Sequence, residues 1–283
     1  MQPKFFAKSC RMCLYVLHLG ASEKSAFRIL AKLKNDVSME NREGALVILL
    51  TGGIGSGKSA VRRILEGMGV PCYDADSAVK GFYAAPGDDG EYGPGQGSEV
   101  LGVARDGRFD KTEKPFLLPE IEAALGQKFR RTDGSFNSRA LAAVIFSDAA
   151  KLKTVEDIVF PALVADFGRW RKSSDMASVP NKSLPADVIV FESATALDKP
   201  DFPKIWDKCL WVDAPEELRI ERVMARDHCS REQVLSRLRL QSPLAAHRNE
   251  IDAVILNDCS LSELSSRVRS ALNCIMRPEN RYR

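Results

Sequence analysis

A chain of 283 residues can bury one large domain or two small ones, and 45% hydrophobic with 28% charged residues is the ordinary balance of a soluble globular protein. Lys and Arg number 41 against 38 Asp and Glu, a net +3 that is too weak to make nucleic acid or a membrane surface the main partner. Seven cysteines form no disulfide framework, and the single Cys-x-x-C, Cys10 and Cys13 with His18 nearby, has no second pair at zinc-finger spacing, which fits a reducing cytoplasm.

Residues 1–43 precede the first strand pattern. Lys4, Lys8 and Arg11 lead into an apolar run, Met12 to Gly20, faintly like a signal peptide and far too short to span a bilayer. The reading adopted is a variable extension, or an upstream start with Met39 as the true first residue. Residues 21–36 have the pattern of a short helix.

The informative stretch comes next. Leu46-Val47-Ile48-Leu49-Leu50 reads as a buried parallel strand, and Val61, Ile64, Leu65 and Met68 recur on one face of a helix. Between them, Gly52-Gly53-Ile54-Gly55-Ser56-Gly57-Lys58-Ser59 fits G-x-x-x-x-G-K-[ST], the phosphate-binding P-loop. Glycines allow the tight turn, successive N–H groups converge on phosphate oxygens, and the helix N-terminus adds positive potential. Gly53, Ile54, Gly55, Ser56, Gly57, Lys58, Ser59 and Ala60 are therefore the expected ATP contacts. Lys58 reaches the β and γ phosphates, and the Ser59 hydroxyl goes to Mg²⁺.

Gly67 to Gly69 should end that helix. A short strand then leads to Asp74-Ala75-Asp76, read as two carboxylates on the same side of a strand end, where parallel sheets line their ligand crevice. A carboxylate there suits phosphoryl transfer, as acceptor of a hydroxyl proton or as a metal-side group. Residues 86–115, rich in Gly, Pro and Asp, read as an inserted loop.

Residues 117–170 are helical in tendency. Leu118, Ile121, Leu125 and Phe129 share one face, and Leu141, Val144 and Ile145 another after the Asn137-Ser138-Arg139 start signal. Ile158, Leu163, Val164 and Phe167 follow. Helices inserted between strands suit an acceptor-binding subdomain. Residues 172–185 read as a polar surface loop.

Asp187 to Glu192 and Cys209 to Asp213 read as buried strands ending in acids. Pro215 to Asp227 reads as a helix carrying Arg219, Arg222 and Arg226 on one face, and Ser230 to Gln233 as a capping box opening another helix. Two arginine-bearing helices flanking a loop in a P-loop protein describe a lid, at about 214–245. Ile251 to Leu256 is a last strand ending at Asn257, and Leu261 to Met276 a closing helix.

Taken together, Leu50 to Ser59, Asp74-Ala75-Asp76, Gly134 to Leu141 with Ile145-Phe146, Arg222 to Asp227, Gln241 and Val254-Ile255-Leu256-Asn257 resemble the dephospho-CoA kinase family across residues 46–272. The resemblance implies an α/β P-loop fold in residues 44–276, with a five-stranded parallel sheet, a helical CoA-binding subdomain and a mobile lid. It implies a cytoplasmic enzyme, expected to be a monomer, with ATP and dephospho-CoA as its partners and Mg²⁺ as cofactor. By the same resemblance Asp76 is the catalytic aspartate, Asp74 lies beside it, Lys58 with Arg222 or Arg226 stabilises the transferring group, and Asn257 lies near adenine.

The departures fall mostly on the acceptor side. Lys80 stands where the family has Arg, and Phe160-Pro161 where it has His-Pro. Glu192-Ser193-Ala194-Thr195-Ala196-Leu197-Asp198 replaces its D-x-P-L-L-F-E, so that either Glu192 or Asp198 is the retained acid, Glu192 being the residue taken for the acceptor side. Ala60 follows Lys-Ser where the family has Thr. Three alternatives remain. A shikimate-kinase-like enzyme needs a later Gly-Gly-Gly loop that is absent. A guanine-nucleotide switch needs Asn-Lys-x-Asp, and Asn181-Lys182-Ser183-Leu184 lacks the Asp. A degenerate CoA binder is opposed by intact Lys58, Ser59 and Asp76.

Overall fold

The apolar runs form five parallel strands, and their order places the functional loops. In a computed structural model, which describes residues 45–84, 115–177 and 188–276, they are β1 (Leu46–Thr51), β2 (Cys72–Asp74), β3 (Val188–Glu192), β4 (Lys208–Asp213) and β5 (Ala253–Leu256). The sheet order is β2-β3-β1-β4-β5, with β1 central between β3 and β4. The N-terminal extension, all but the last residue of the 86–115 segment, and Asn181 to Leu184 lie outside the described residues.

Eight α-helices accompany the strands among the described residues. They are α1 (Lys58–Gly67), α2 (Ala75–Gly81), α3 (Leu118–Leu125), α4 (Ser138–Phe146), α5 (Ala149–Ala177), α6 (Glu216–Asp227), α7 (Arg231–Arg239) and α8 (Leu261–Ile275). Side chains alternate across each strand, so each face of the sheet builds its own core. Ile48, Leu50, Val190, Leu210 and Val212 meet Val61 and Leu65 of α1 and Leu264, Val268 and Leu272 of α8. On the other face Leu49, Tyr73, Phe191 and Cys209 meet Leu118 and Ile121 of α3 and Val159, Leu163 and Phe167 of α5. Full burial of side chains such as Phe191 and Leu210 is worth roughly 1.5–3 kcal/mol each.

The core on this second face is rich in aromatic residues. Tyr73 lies 5.3 Å from both Phe167 and Trp170, and its hydroxyl donates to the buried carboxylate of Asp166 at 2.6 Å. This bond fastens α5 to the strand that ends at Asp74. Phe160 packs edge-on against Phe202 at 5.0 Å, and Pro161 sits inside α5.

Three readings of the sequence are corrected. Residues 172–177 belong to α5 and not to a loop, because no Pro or Gly interrupts the helix between Lys172 and Ala177. Phe129 is buried but lies beyond α3, which stops at Gly126 with φ 65°. There the Phe129 N–H donates to the buried Glu122 carboxylate at 2.8 Å. Finally, β5 begins at Ala253 rather than Ile251.

Candidate active site

The loop between β1 and α1 is held in its curve by its neighbours. Gly57, at φ 95°, caps α1 in the left-handed region, and a Cβ on it would meet Asn257 Nδ2 at 2.0 Å. Asn257 is buried at the end of β5, and that same Nδ2 donates to the Ser56 carbonyl at 2.8 Å. The Ser56 hydroxyl is fully buried with no hydrogen-bond partner among the described residues, an orphaned donor inside a loop built for anions. Lys58 Nζ donates to the carbonyls of Gly52 (2.8 Å) and Gly53 (3.2 Å), leaving one of its three N–H groups for a phosphate oxygen. Burial lowers the Lys58 pKa, while Glu192 and Asp76 pull the other way. Ser59 is exposed in the first turn of α1 and Ala60 half-buried behind it.

Residues on and after helices α6 and α7 hold this loop chiefly at Ile54. Ile54 accepts from Arg219 Nε at 2.9 Å with its carbonyl and donates to Gln241 Oε1 at 2.7 Å with its N–H. Its side chain packs against Ile220, Val223 and Val234, the small core of α6 and α7. Arg222 bridges the same region, with Nη2 on the Asn257 carbonyl at 3.1 Å and Nη1 on that of Gly55 at 3.5 Å. Arg226 differs: it is exposed, and its fork grips Asp227 at 2.7 and 3.1 Å, with Arg237 on the same carboxylate at 2.7 Å. The expected capping box of Ser230 and Gln233 is present. Arg219 and Gln241, to which sequence reasoning gave no specific partner, are the main loop anchors. Their targets are backbone groups, which leave no mark in a sequence.

The carboxylates converge at the C-terminal ends of β2 and β3. Asp74 and Glu192 pair in register, and alternation turns both toward α1. The D-x-D is not two positions of one strand, because α2 begins at Ala75. Asp74 caps it by accepting from the Ser77 N–H at 2.9 Å, and Asp76 falls in its first turn. Asp76 is solvent-exposed in that turn. Burial and then Asp74 raise its pKa, against Lys58 and Lys80. Lys80 is exposed in the last turn of α2. Glu192 is buried, and burial, with Asp74 and Asp76 adding to it, pushes its pKa up to about 7 despite Arg62 and Lys58. Asp198 stands apart, 3.0 Å from His247 Nε2, so Glu192 is the acid of this crevice. Arg62, which sequence reasoning passed over, contacts both Asp74 and Glu192.

A parallel sheet with a phosphate loop after its central strand, and an arginine-bearing helix bonded to that loop, defines a P-loop kinase. The family model described as dephospho-CoA kinase matches residues 106–263, more than half of the sequence and wholly beyond the P-loop. The chain belongs to the dephospho-CoA kinase family. It is 32% identical over 201 residues to a dephospho-CoA kinase of Porphyromonas gingivalis, covering 70% of this chain and 80% of that one. It is likewise 32% identical over 232 residues to one of Novosphingobium aromaticivorans, covering 81% and 94%. Among solved structures, TT1252 from Thermus thermophilus superposes with a TM-score of 0.57 at 27% identity, over 83% of this chain and 100% of that one.

Proposed function

We propose that this chain transfers the γ-phosphate of ATP to the 3′-hydroxyl of dephospho-CoA, giving CoA and ADP in the last step of coenzyme A synthesis. The observation that carries the reading is a P-loop whose Lys58 lies close enough to Asp76 for each charge to act on the other, in a member of this family. The 3′-oxygen forms a bond to phosphorus, the bond from phosphorus to the β,γ-bridging oxygen breaks, and the hydroxyl proton passes to Asp76. A carboxylate whose pKa is raised, as that of Asp76 is, accepts a proton better than one at the ordinary value.

Gly53 to Ala60 cradle the triphosphate, and Asn257 lies toward the adenine. Lys58 and Arg222 neutralise the transferring group. Arg226, turned to Asp227, would have to exchange partners to join them. The exposed Ser59 hydroxyl at the helix start is a fitting oxygen donor for Mg²⁺, which when bound supplies charge neutralisation at the phosphates. Asp74 and Lys80 flank the acceptor, and Glu192 acts from beneath them. The helices over 117–170 bind the acceptor, and 214–245 is the lid. The setting is the cytoplasm and the working unit a monomer; no helix among the described residues is long and apolar enough to cross a membrane.

The test is ADP release by purified protein with Mg-ATP, comparing dephospho-CoA, shikimate and no acceptor. Release strictly dependent on dephospho-CoA is expected. Release driven by shikimate, or equal without acceptor, overturns the reading.

A further inference from the structure

Three carboxylates, Asp74, Asp76 and Glu192, share one crevice with the Lys58 ammonium. Left to themselves, such groups raise one another's pKa until one takes up a proton from solvent, or they capture the lysine, and either outcome removes a charge that phosphoryl transfer needs. Arg62 opposes this by position. It lies four residues after Lys58 on α1, hence on the same helix face one turn deeper. Its Nη1 meets Asp74 Oδ2 at 2.7 Å, while Nε lies 3.2 Å from Glu192 Oε2 and 3.7 Å from Glu66 Oε1. The guanidinium therefore spans the register pair at the ends of β2 and β3. Asp76 alone of the three is left without an arginine partner among the described contacts. The Arg62 Nε and Glu192 Oε2 atoms are both buried and face each other without hydrogen-bond alignment, so their attraction is one of charge at close range.

We propose that Arg62 is a positioning residue for the transfer: it occupies Asp74 and Glu192 as their charge partner, so that the lysine serves phosphate and Asp76 serves the acceptor hydroxyl. Only an arginine suits the place. A lysine offers a single point charge and cannot grip two carboxylates on different strands at once. The contacts of Arg62 are to Asp74, Glu192 and Glu66, and its loss should slow the reaction without loosening either substrate.

The inference rests on the transfer reaction proposed above. Its test is steady-state kinetics of Arg62→Lys and Arg62→Met with ATP and dephospho-CoA, each rate normalised to the ATP-binding sites counted by titration. The expected result is kcat reduced by about tenfold or more in Arg62→Met and by less in Arg62→Lys, with both KM values within about threefold of wild type. Should Arg62→Met fail to fold, Arg62→Lys carries the test through its reduced kcat. A wild-type kcat in Arg62→Lys, a defect confined to KM, or a loss that vanishes on normalisation overturns the positioning role. A wild type that does not turn over dephospho-CoA overturns the functional reading, and this inference with it.

Discussion

The side-chain amide of Asn257 donates to the carbonyl of Ser56 at 2.8 Å, tying the end of β5 to the middle of the P-loop 201 residues away in sequence. The same amide occupies the space a Cβ on Gly57 would need, so a glycine and an asparagine distant in the chain are matched by contact. Arg222 closes the arrangement by bonding the Asn257 carbonyl.

Replacing Asn257 by Ala leaves the buried Ser56 carbonyl without this donor, a loss of about 1–3 kcal/mol. ATP affinity should fall and the melting temperature with it. Gly57→Ala should be worse, since it forces an unfavourable φ and a collision at 2.0 Å together. Isothermal titration with ATP and thermal unfolding check both; unchanged ATP affinity in Gly57→Ala would contradict the loop geometry.

Asp76→Asn removes the proton acceptor while leaving the P-loop intact. kcat should drop by roughly 10²–10⁴-fold while the Kd for ATP stays within a few-fold. Lys58→Ala should instead damage both nucleotide binding and rate. A full-speed Asp76→Asn enzyme would remove Asp76 from the chemistry.

Gln241→Ala frees the Ile54 N–H, one of the ties between lid and loop. A hydrogen bond worth about 0.5–1.5 kcal/mol corresponds to a KM for ATP raised by roughly two- to twelvefold, with kcat less affected. Gln241→Glu should not rescue it, because a second carboxylate oxygen adds charge beside the phosphates. Steady-state kinetics with varied ATP decides the point.

The raised pKa of Glu192 has a defined sign for stability. Its folded value of about 7 lies above the ordinary glutamate value of 4.5, so the folded state binds the proton more tightly than the unfolded one. Its contribution to stability is fully present below pH 4.5 and is lost as pH rises through 7. Glu192→Gln should flatten the decline of stability across that window. Urea unfolding at stepped pH measures it, and an unchanged slope in the variant would contradict the assignment.

How far the sequence carried depended on the kind of contact. The P-loop, the five strands and the lid helices were legible because Gly, Lys-Ser, apolar runs and Arg spacing each have one dominant structural meaning. The Asn137 and Ser230 caps were legible for the same reason, being local. The D-x-D was found, but its geometry was misjudged because Asp74 caps a helix that starts one residue later. Arg62, Arg219 and Gln241 gave no comparable signal. An arginine on an amphipathic helix reads as a solvated face, and only the register of β2 beside β3 reveals that Arg62 has two acids beneath it. The choice between Glu192 and Asp198 likewise needed the fold, which sends one toward Arg62 and the other to His247.

The most direct test of the central claim is the identity of the product. Phosphorus NMR of a reaction with Mg-ATP and dephospho-CoA should show a new phosphomonoester at the ribose 3′ position, growing in equal amount with ADP and absent in Asp76→Asn. Phosphate released to water, or attached at another position of the acceptor, would contradict it.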